Sequence, residues 1–208
     1  MPSAGSESLA WMNRKVLVTG AGGFIGSHLV KRLLGEGATV RAFIRYNSRN
    51  DPGFLADVKS DCLEIIKGDV RDVETMREAA RDISVIFHLA ALVGIPYSYQ
   101  HVSEVVEVNT LGTLNALIAA RENKVERIVH TSTSEVYGTA QTPQIAEGHP
   151  RQAQSPYAAS KIAADALALS FYRSFGVPVA VCRPFNTYGP RQSDRAIIPA
   201  LLIQALRK

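Results

Sequence analysis

Tyr157 and Lys161 stand four residues apart in Ser155-Pro156-Tyr157-Ala158-Ala159-Ser160-Lys161, inside an alanine-rich stretch that reads as a helix. Residues at that spacing share a helix face. A free phenol titrates near ~10, too high for a base at neutral pH. A neighbouring positive charge favours the phenolate. A phenolate held that way can take the proton of an alcohol while hydride leaves the carbon that bears it. An exposed helix also carries such pairs without any function, so other groups must decide. Upstream, Thr131-Ser132-Thr133-Ser134-Glu135-Val136-Tyr137-Gly138 follows an apolar run and offers hydroxyls and a carboxylate. Taken alone, a turn or cap explains them. At the C-terminal end of a strand in an α/β sheet, they would lie where ligand sites form.

A departing hydride needs an acceptor, and Lys15 to Leu29, KVLVTGAGGFIGSHL, reads as the place for one. Val16, Leu17 and Val18 form a short apolar run that predicts a fully buried strand. The chain then turns through Thr19 to Gly23, and a helix is expected from Phe24 to about Glu36. Gly20, Gly23 and Gly26 lie three apart. The first allows a tight turn, the second lets backbone approach a pyrophosphate, and the third lets helix pack close to strand. The helix N-terminus then meets the phosphates with free N–H groups and a partial positive charge. The order of strand, glycines and helix points to a dinucleotide, with Gly20, Gly23, Phe24, Ile25 and Gly26 around it. An oxidised nicotinamide would add to the positive charge that favours a Tyr157 phenolate. The spacing is G-x-x-G-x-x-G, not G-x-G-x-x-G.

These groups need elements to position them. Further strands are predicted at Thr39–Ile44, Cys62–Lys67, Ser84–His88, Arg127–Ser132 and Val177–Cys182. Helices are predicted at Val73–Arg81, Val102–Glu122 with Gly112 inside it, Pro156–Phe175, and from Ile197 onward. Strands alternating with helices imply a parallel sheet covered on both faces, a Rossmann-like doubly wound α/β fold. Its ligand should lie beyond the C-terminal strand ends, beside the first strand. Asp69 follows the third strand directly and either accepts from an adenine amino group or caps the next helix. His88 ends the fourth strand and reads as structural, because no second ligand lies at metal-site spacing; no metal is expected.

Of the 208 residues, 46% are hydrophobic and 20% charged, and the net charge is +4. That is ordinary for a globular protein, and scattered basic residues suit an anionic small ligand better than nucleic acid. The two cysteines, Cys62 and Cys182, each sit in an apolar run and are expected as buried thiols in a reducing compartment, hence a cytoplasmic protein. No apolar stretch approaches membrane-spanning length, and the start lacks a signal-peptide core. Residues 1–13 are expected as a flexible tail and 14–208 as one NAD(P)-binding domain.

Together these motifs resemble the extended short-chain dehydrogenase/reductase family, the nucleotide-sugar epimerases and dehydratases, from Lys15 onward. TGAGGFIGSHL resembles the family's glycine motif. Gly68 to Asp72, GDVRD, resembles its adenine-contacting segment and implies Asp69 and Val70 there. His88 to Ala91, HLAA, resembles its cofactor-lining segment and implies Leu89, Ala90 and Ala91. TSTSEVYG supplies Thr133, which by resemblance polarises the substrate, and SPYAASK supplies the Tyr157–Lys161 pair. Arg183 to Gln192, RPFNTYGPRQ, resembles the segment that touches nicotinamide through Phe185 and then the substrate diphosphate through Asn186. The resemblance also implies a homodimer built on the 102–122 and 156–175 helices.

Three features refine the expectation. Where many NAD-using relatives end strand two with an aspartate, this chain has Arg45, which suits a 2′-phosphate; NADP is therefore slightly favoured over NAD. Family members are longer and carry a C-terminal substrate lobe, which is expected to be largely absent here. Glu135 stands where sugar dehydratases hold the base that removes the C5 proton, with Ser134 before it. The implied activity is a 4,6-dehydration with Thr133, Glu135, Tyr157 and Lys161 catalytic. A 4-epimerase or a UDP-glucuronate-type decarboxylase is the alternative, and a non-catalytic nucleotide sensor a more distant one. The stretch ALVGIPYSY resembles members acting on UDP sugars.

Overall fold

The computed structural model describes residues 10–207. Six parallel strands form one sheet in the order β3-β2-β1-β4-β5-β6. They are β1 Lys15–Thr19, β2 Thr39–Arg45, β3 Leu63–Gly68, β4 Val85–His88, β5 Arg127–Thr131 and β6 Val179–Cys182. The first crossover carries α1 (Phe24–Gly35), and α2 (Val73–Ala79) joins β3 to β4. Between β4 and β5 come α3 (Ile95–Gln100), α4 (Val102–Val106), a π turn (Glu107–Leu111) and α5 (Gly112–Glu122). Helix α6 (Pro156–Phe175) precedes β6, and α7 (Ile197–Leu206) follows it. This is the expected Rossmann-like doubly wound sheet. The order reverses between β1 and β4, which opens a crevice at their C-terminal ends.

Strand β1 is central, and Val16, Leu17 and Val18 are fully buried. Its alternation divides the core. Leu17 joins Phe43, Ile86 and Ile128 beneath Met76, Leu117 and Ala168 on one face. Val16 and Val18 join Val40, Ala42 and Ile44 beneath Val30 and Leu33 of α1 on the other. Both faces being covered, apolar runs and not polar alternation mark the strands. Helix α6 starts where Ser155 accepts from the Ala158 N–H at 3.0 Å, with Pro156 in its first turn. It stops at Gly176, whose φ of 68° is left-handed.

Several expectations are revised. Part of the expected tail is tied to the domain: Trp11 lies against Phe87 at 5.8 Å between ring centroids, and the Asn13 N–H donates to the Gly37 carbonyl. The remainder of that tail, residues 1–9, lies outside the described residues. Helix α3 was not anticipated. The 102–122 run is helical throughout but loosens into a π turn midway. Cys62 and Cys182 are exposed, not buried. Cys62 sits in the turn before β3, and Cys182 ends β6 at the sheet edge, where no neighbouring strand covers it. Among the described residues, no helix is long and apolar enough to cross a membrane.

Candidate active site

A cleft of about 720 Å³ opens at the C-terminal ends of β1, β4 and β5. Its floor is the turn from β1 into α1. Gly20 has φ +67°, and a Cβ there would lie 2.9 Å from the Ala90 nitrogen. A Cβ on Gly26 would lie 2.3 Å from the Gly20 carbonyl oxygen. Gly23 takes the N-cap position without a side-chain cap, and the first helical bond runs from the Ser27 N–H to the Gly23 carbonyl. The N–H groups of Phe24, Ile25 and Gly26 thus point out of the helix unpaired, the donor set an anion needs. A recess of about 140 Å³ continues from the cleft between Gly68, Asp69, Val70 and Val108. Cleft and recess have the volume and polarity to hold a dinucleotide.

The opposite wall carries Thr133, Glu135, Tyr157 and Lys161. Tyr157 and Lys161 of α6 are 8% and 2% exposed, and both face the cleft with Thr133 and Glu135. Burial pushes the Tyr157 phenol above its ordinary value, and the Glu135 charge pushes it further; the Thr133 hydroxyl beside it pulls it down. The Lys161 ammonium donates to the Thr131 carbonyl at 2.7 Å, and burial brings it down to about 8. Lysine is thus turned to backbone, not to the phenol. One turn further along α6, Asp165 is wholly buried and accepts from Arg183 Nε at 2.9 Å. His130 Nε2 lies 3.3 Å from its other oxygen, too poorly aligned for a hydrogen bond. Burial would raise the Asp165 carboxyl, but His130, Ser132 and Arg183 around it hold it below the usual carboxylate range.

The family model for GDP-mannose 4,6 dehydratase matches residues 17–207. The chain belongs to this family. A dTDP-glucose 4,6-dehydratase of Actinoplanes sp. is 36% identical over 200 residues, 92% of this chain and 62% of the relative. A UDP-glucose 4-epimerase of Mycolicibacterium smegmatis is 37% identical over 197 residues, 92% and 63% of the two chains. The dTDP-glucose 4,6-dehydratase of Streptomyces venezuelae, solved with NAD and TYD bound, matches with a TM-score of 0.86 at 34% identity, over 93% of this chain and 62% of that one. The chain therefore spans about three fifths of the length of the relatives it matches.

Among the residues that the family resemblance singled out, Gly20, Gly23, Phe24, Ile25, Gly26 and Arg45 line the cleft on one side. Leu89, Ala90 and Ala91 line it beside that turn, and Thr133, Glu135, Tyr157, Lys161, Phe185 and Asn186 line the other side. Asp69 and Val70 lie in the recess. Asp69 does not cap α2, since Asp72 accepts from the Glu74 N–H and takes that role. Asp69 is instead gripped by Arg71 at 3.0 and 2.6 Å. His88 is buried and bonded to Thr19 through Nδ1 at 2.9 Å. Burial holds it neutral. Thr133 is extended, but it caps a 3-10 turn over Ser134–Tyr137, accepting from the Glu135 N–H at 3.2 Å. The turn, not strand alternation, brings Glu135 to the cleft.

Sequence reasoning passed over Asn109 and Asp165. Asn109 sits in the π turn, fully buried. It clamps Leu92 through both backbone groups at 2.8 and 3.1 Å and bonds the Ser160 hydroxyl at 3.0 Å. It thereby ties the loop after β4 to helix α6, and π turns are frequent at functional positions. No local signal marks it. Asp165 did carry one: it repeats the Tyr157–Lys161 spacing.

Proposed function

We propose that the protein acts in nucleotide-sugar 4,6-dehydration with bound NAD(P). Gly20 to Gly26 would hold the pyrophosphate, the recess at Asp69 the adenine, and Phe185 with Leu89 to Ala91 the nicotinamide side. NAD(P), when bound, supplies a hydride acceptor and donor that ends the cycle unchanged. Tyr157 removes the proton of the sugar C4 hydroxyl, and Thr133 hydrogen-bonds the same hydroxyl. Lys161, one turn further along the same helix, supports the phenolate and holds the cofactor ribose. The C4 ketone acidifies C5–H, Glu135 takes that proton and passes it to the departing C6 hydroxyl so that water leaves, and a hydride returned to C6 with a proton returned to C5 would complete the 4-keto-6-deoxy product. Asn186 meets the substrate diphosphate. Arg45 gives the cofactor 2′ position a cation, so NADP is preferred to NAD. UDP sugars are the first substrates to try. Exposed Val106 and Leu111 on one helical run and Tyr172 and Phe175 on α6 support a homodimer through those helices. Free, exposed Cys62 and Cys182 fit the reducing cytoplasm.

The observation that carries this reading is the convergence of Thr133, Glu135 and Tyr157 on one cleft wall, close enough for Glu135 to shift the phenol. A sensor of nucleotides would not need these groups. Epimerisation or decarboxylation uses the same oxidation and is the second reading, because a 4-epimerase relative is 37% identical. The test offers UDP-, GDP- and dTDP-sugars and weighs the products: loss of water, loss of carbon dioxide and unchanged mass separate the three reactions. Glu135→Gln should still reduce the cofactor, seen as accumulating nicotinamide absorbance, while dehydrated product falls by about two to four orders of magnitude, the worth of a general base. Normal turnover by this variant would make the carboxylate structural and favour epimerisation.

A further inference from the structure

Arg45 ends β2 opposite Gly68 and lines both the cleft and the recess. It is not free to meet a ligand unopposed. Glu104 of α4 places Oε1 3.7 Å from Arg45 Nη2. The two partners are not equally exposed: the guanidinium side chain is 65% exposed and the carboxylate side chain 28%. Glu104 is also fixed from behind. The Tyr97 hydroxyl of α3 donates to its Oε2 at 2.6 Å, and the Tyr97 ring stacks on His101 at 4.3 Å between centroids. The same bond to Glu104 pushes the Tyr97 phenol up, so it stays a donor.

The other charges nearby leave Arg45 as the deciding cation. Arg71 is spent on Asp69 at 2.6 Å and Glu107 at 3.0 Å. Asp69 also feels the Arg45 charge. Three carboxylates, Asp69, Glu104 and Glu107, therefore face two guanidiniums, and the set is negative overall. A phosphate monoester arriving here must draw Arg45 away from Glu104 and then lie near the uncompensated carboxylate. A ribose diol is neutral and can donate to a carboxylate, so it meets no such opposition.

We infer that Glu104, pinned by Tyr97, is a cofactor-specificity residue that holds Arg45 against a 2′-phosphate and so limits the preference for NADP over NAD. This rests on the dinucleotide reading proposed above. The experiment is a direct titration of the protein with NAD and with NADP, followed by calorimetry, for the wild type, Glu104→Gln, Tyr97→Phe and the Arg45→Ala/Glu104→Gln double variant. Glu104→Gln should tighten NADP by about two- to fivefold, the scale of one partly exposed charge pair, and leave NAD within about twofold. Tyr97→Phe should move NADP the same way by less, and the double variant should lose the gain. Unchanged NAD affinity reports an intact fold in each variant. If Glu104→Gln shifts both cofactors equally, or neither, the inference is overturned while the dinucleotide reading stands. If the wild type binds neither dinucleotide, the dinucleotide reading falls and this inference with it.

Discussion

Replacing Lys161 with methionine should make the ligand-free protein more stable at neutral pH while removing its function. The ammonium is 2% exposed and is brought by burial from 10.5 to about 8. A gap of about 2.5 units corresponds to about 3 kcal/mol at 1.36 kcal/mol per unit. The charged lysine therefore costs about that much folding energy at pH 7, since the unfolded chain solvates it freely. Methionine fills similar space and carries no charge, but it gives up the bond to the Thr131 carbonyl at 2.7 Å, worth about 1 kcal/mol. The expected net gain is about 2 kcal/mol. The sign of the pH dependence follows from proton counts. Between about 8 and 10.5 the unfolded chain holds the lysine proton and the folded chain does not, so wild-type stability rises with pH across that window. It is lost again as pH falls through about 8. Urea unfolding of both proteins at pH 7 through 10 measures the difference, in which other titrating groups cancel. The variant should lead at pH 7 and lose its lead by pH 10. Parallel curves, or a variant less stable at pH 7, would show that the lysine is neither desolvated nor a burden, and the reasoning would fail.

Two glycines of α1 should respond oppositely to alanine. At Gly26 the new Cβ meets the Gly20 carbonyl oxygen at 2.3 Å and Ala21 Cα at 2.9 Å, both backbone, so Gly26→Ala should cost about 1–3 kcal/mol in chemical denaturation and weaken dinucleotide binding. Nothing lies within 4 Å of a Cβ at Gly35, so Gly35→Ala should stabilise by about 0.5 kcal/mol and leave binding unchanged. Asp165→Asn should cost about 3 kcal/mol at neutral pH, because it strips Arg183 of its buried counter-charge. Asp165 stabilises above its unfolded value of 3.8, and that contribution is lost as pH falls through the lower folded value. An acid unfolding series should therefore fall more shallowly for the variant than for the wild type.

The sheet was legible because its strands are buried on both faces and appear as unbroken apolar runs, from Val16–Val18 outward. Helix α6 was legible at both ends: Ser155 and Pro156 start it and Gly176 stops it. Helix α3 was hidden by Pro96 and by a bulky Tyr97 and Tyr99, whose local preference does not favour a helix. The π turn was hidden because its cause is tertiary. Asn109 must reach both Leu92 and Ser160, and the helical register yields to those three bonds. Cys182 misled for a related reason: an apolar run predicts burial only where a neighbour covers the strand, and β6 has none on its outer side.

The site was legible in its residue types and less so in its electrostatics. The spacing of Tyr157 and Lys161 placed both groups on one face, and both do face the cleft. The spacing also suggested that the ammonium acts directly on the phenol. In the fold Lys161 is turned to the carbonyl that ends β5, while burial and Glu135 raise the phenol. Poising Tyr157 as a base then calls for more positive charge than the side chains around it supply. The same holds at Arg45, whose type could be read but whose partner could not: Glu104 lies 59 residues away in sequence and reaches it only because β2 and α4 end at the same crevice. Motifs identify the groups that can act; what each does at neutral pH is set by neighbours that only the packed sheet and helices bring together.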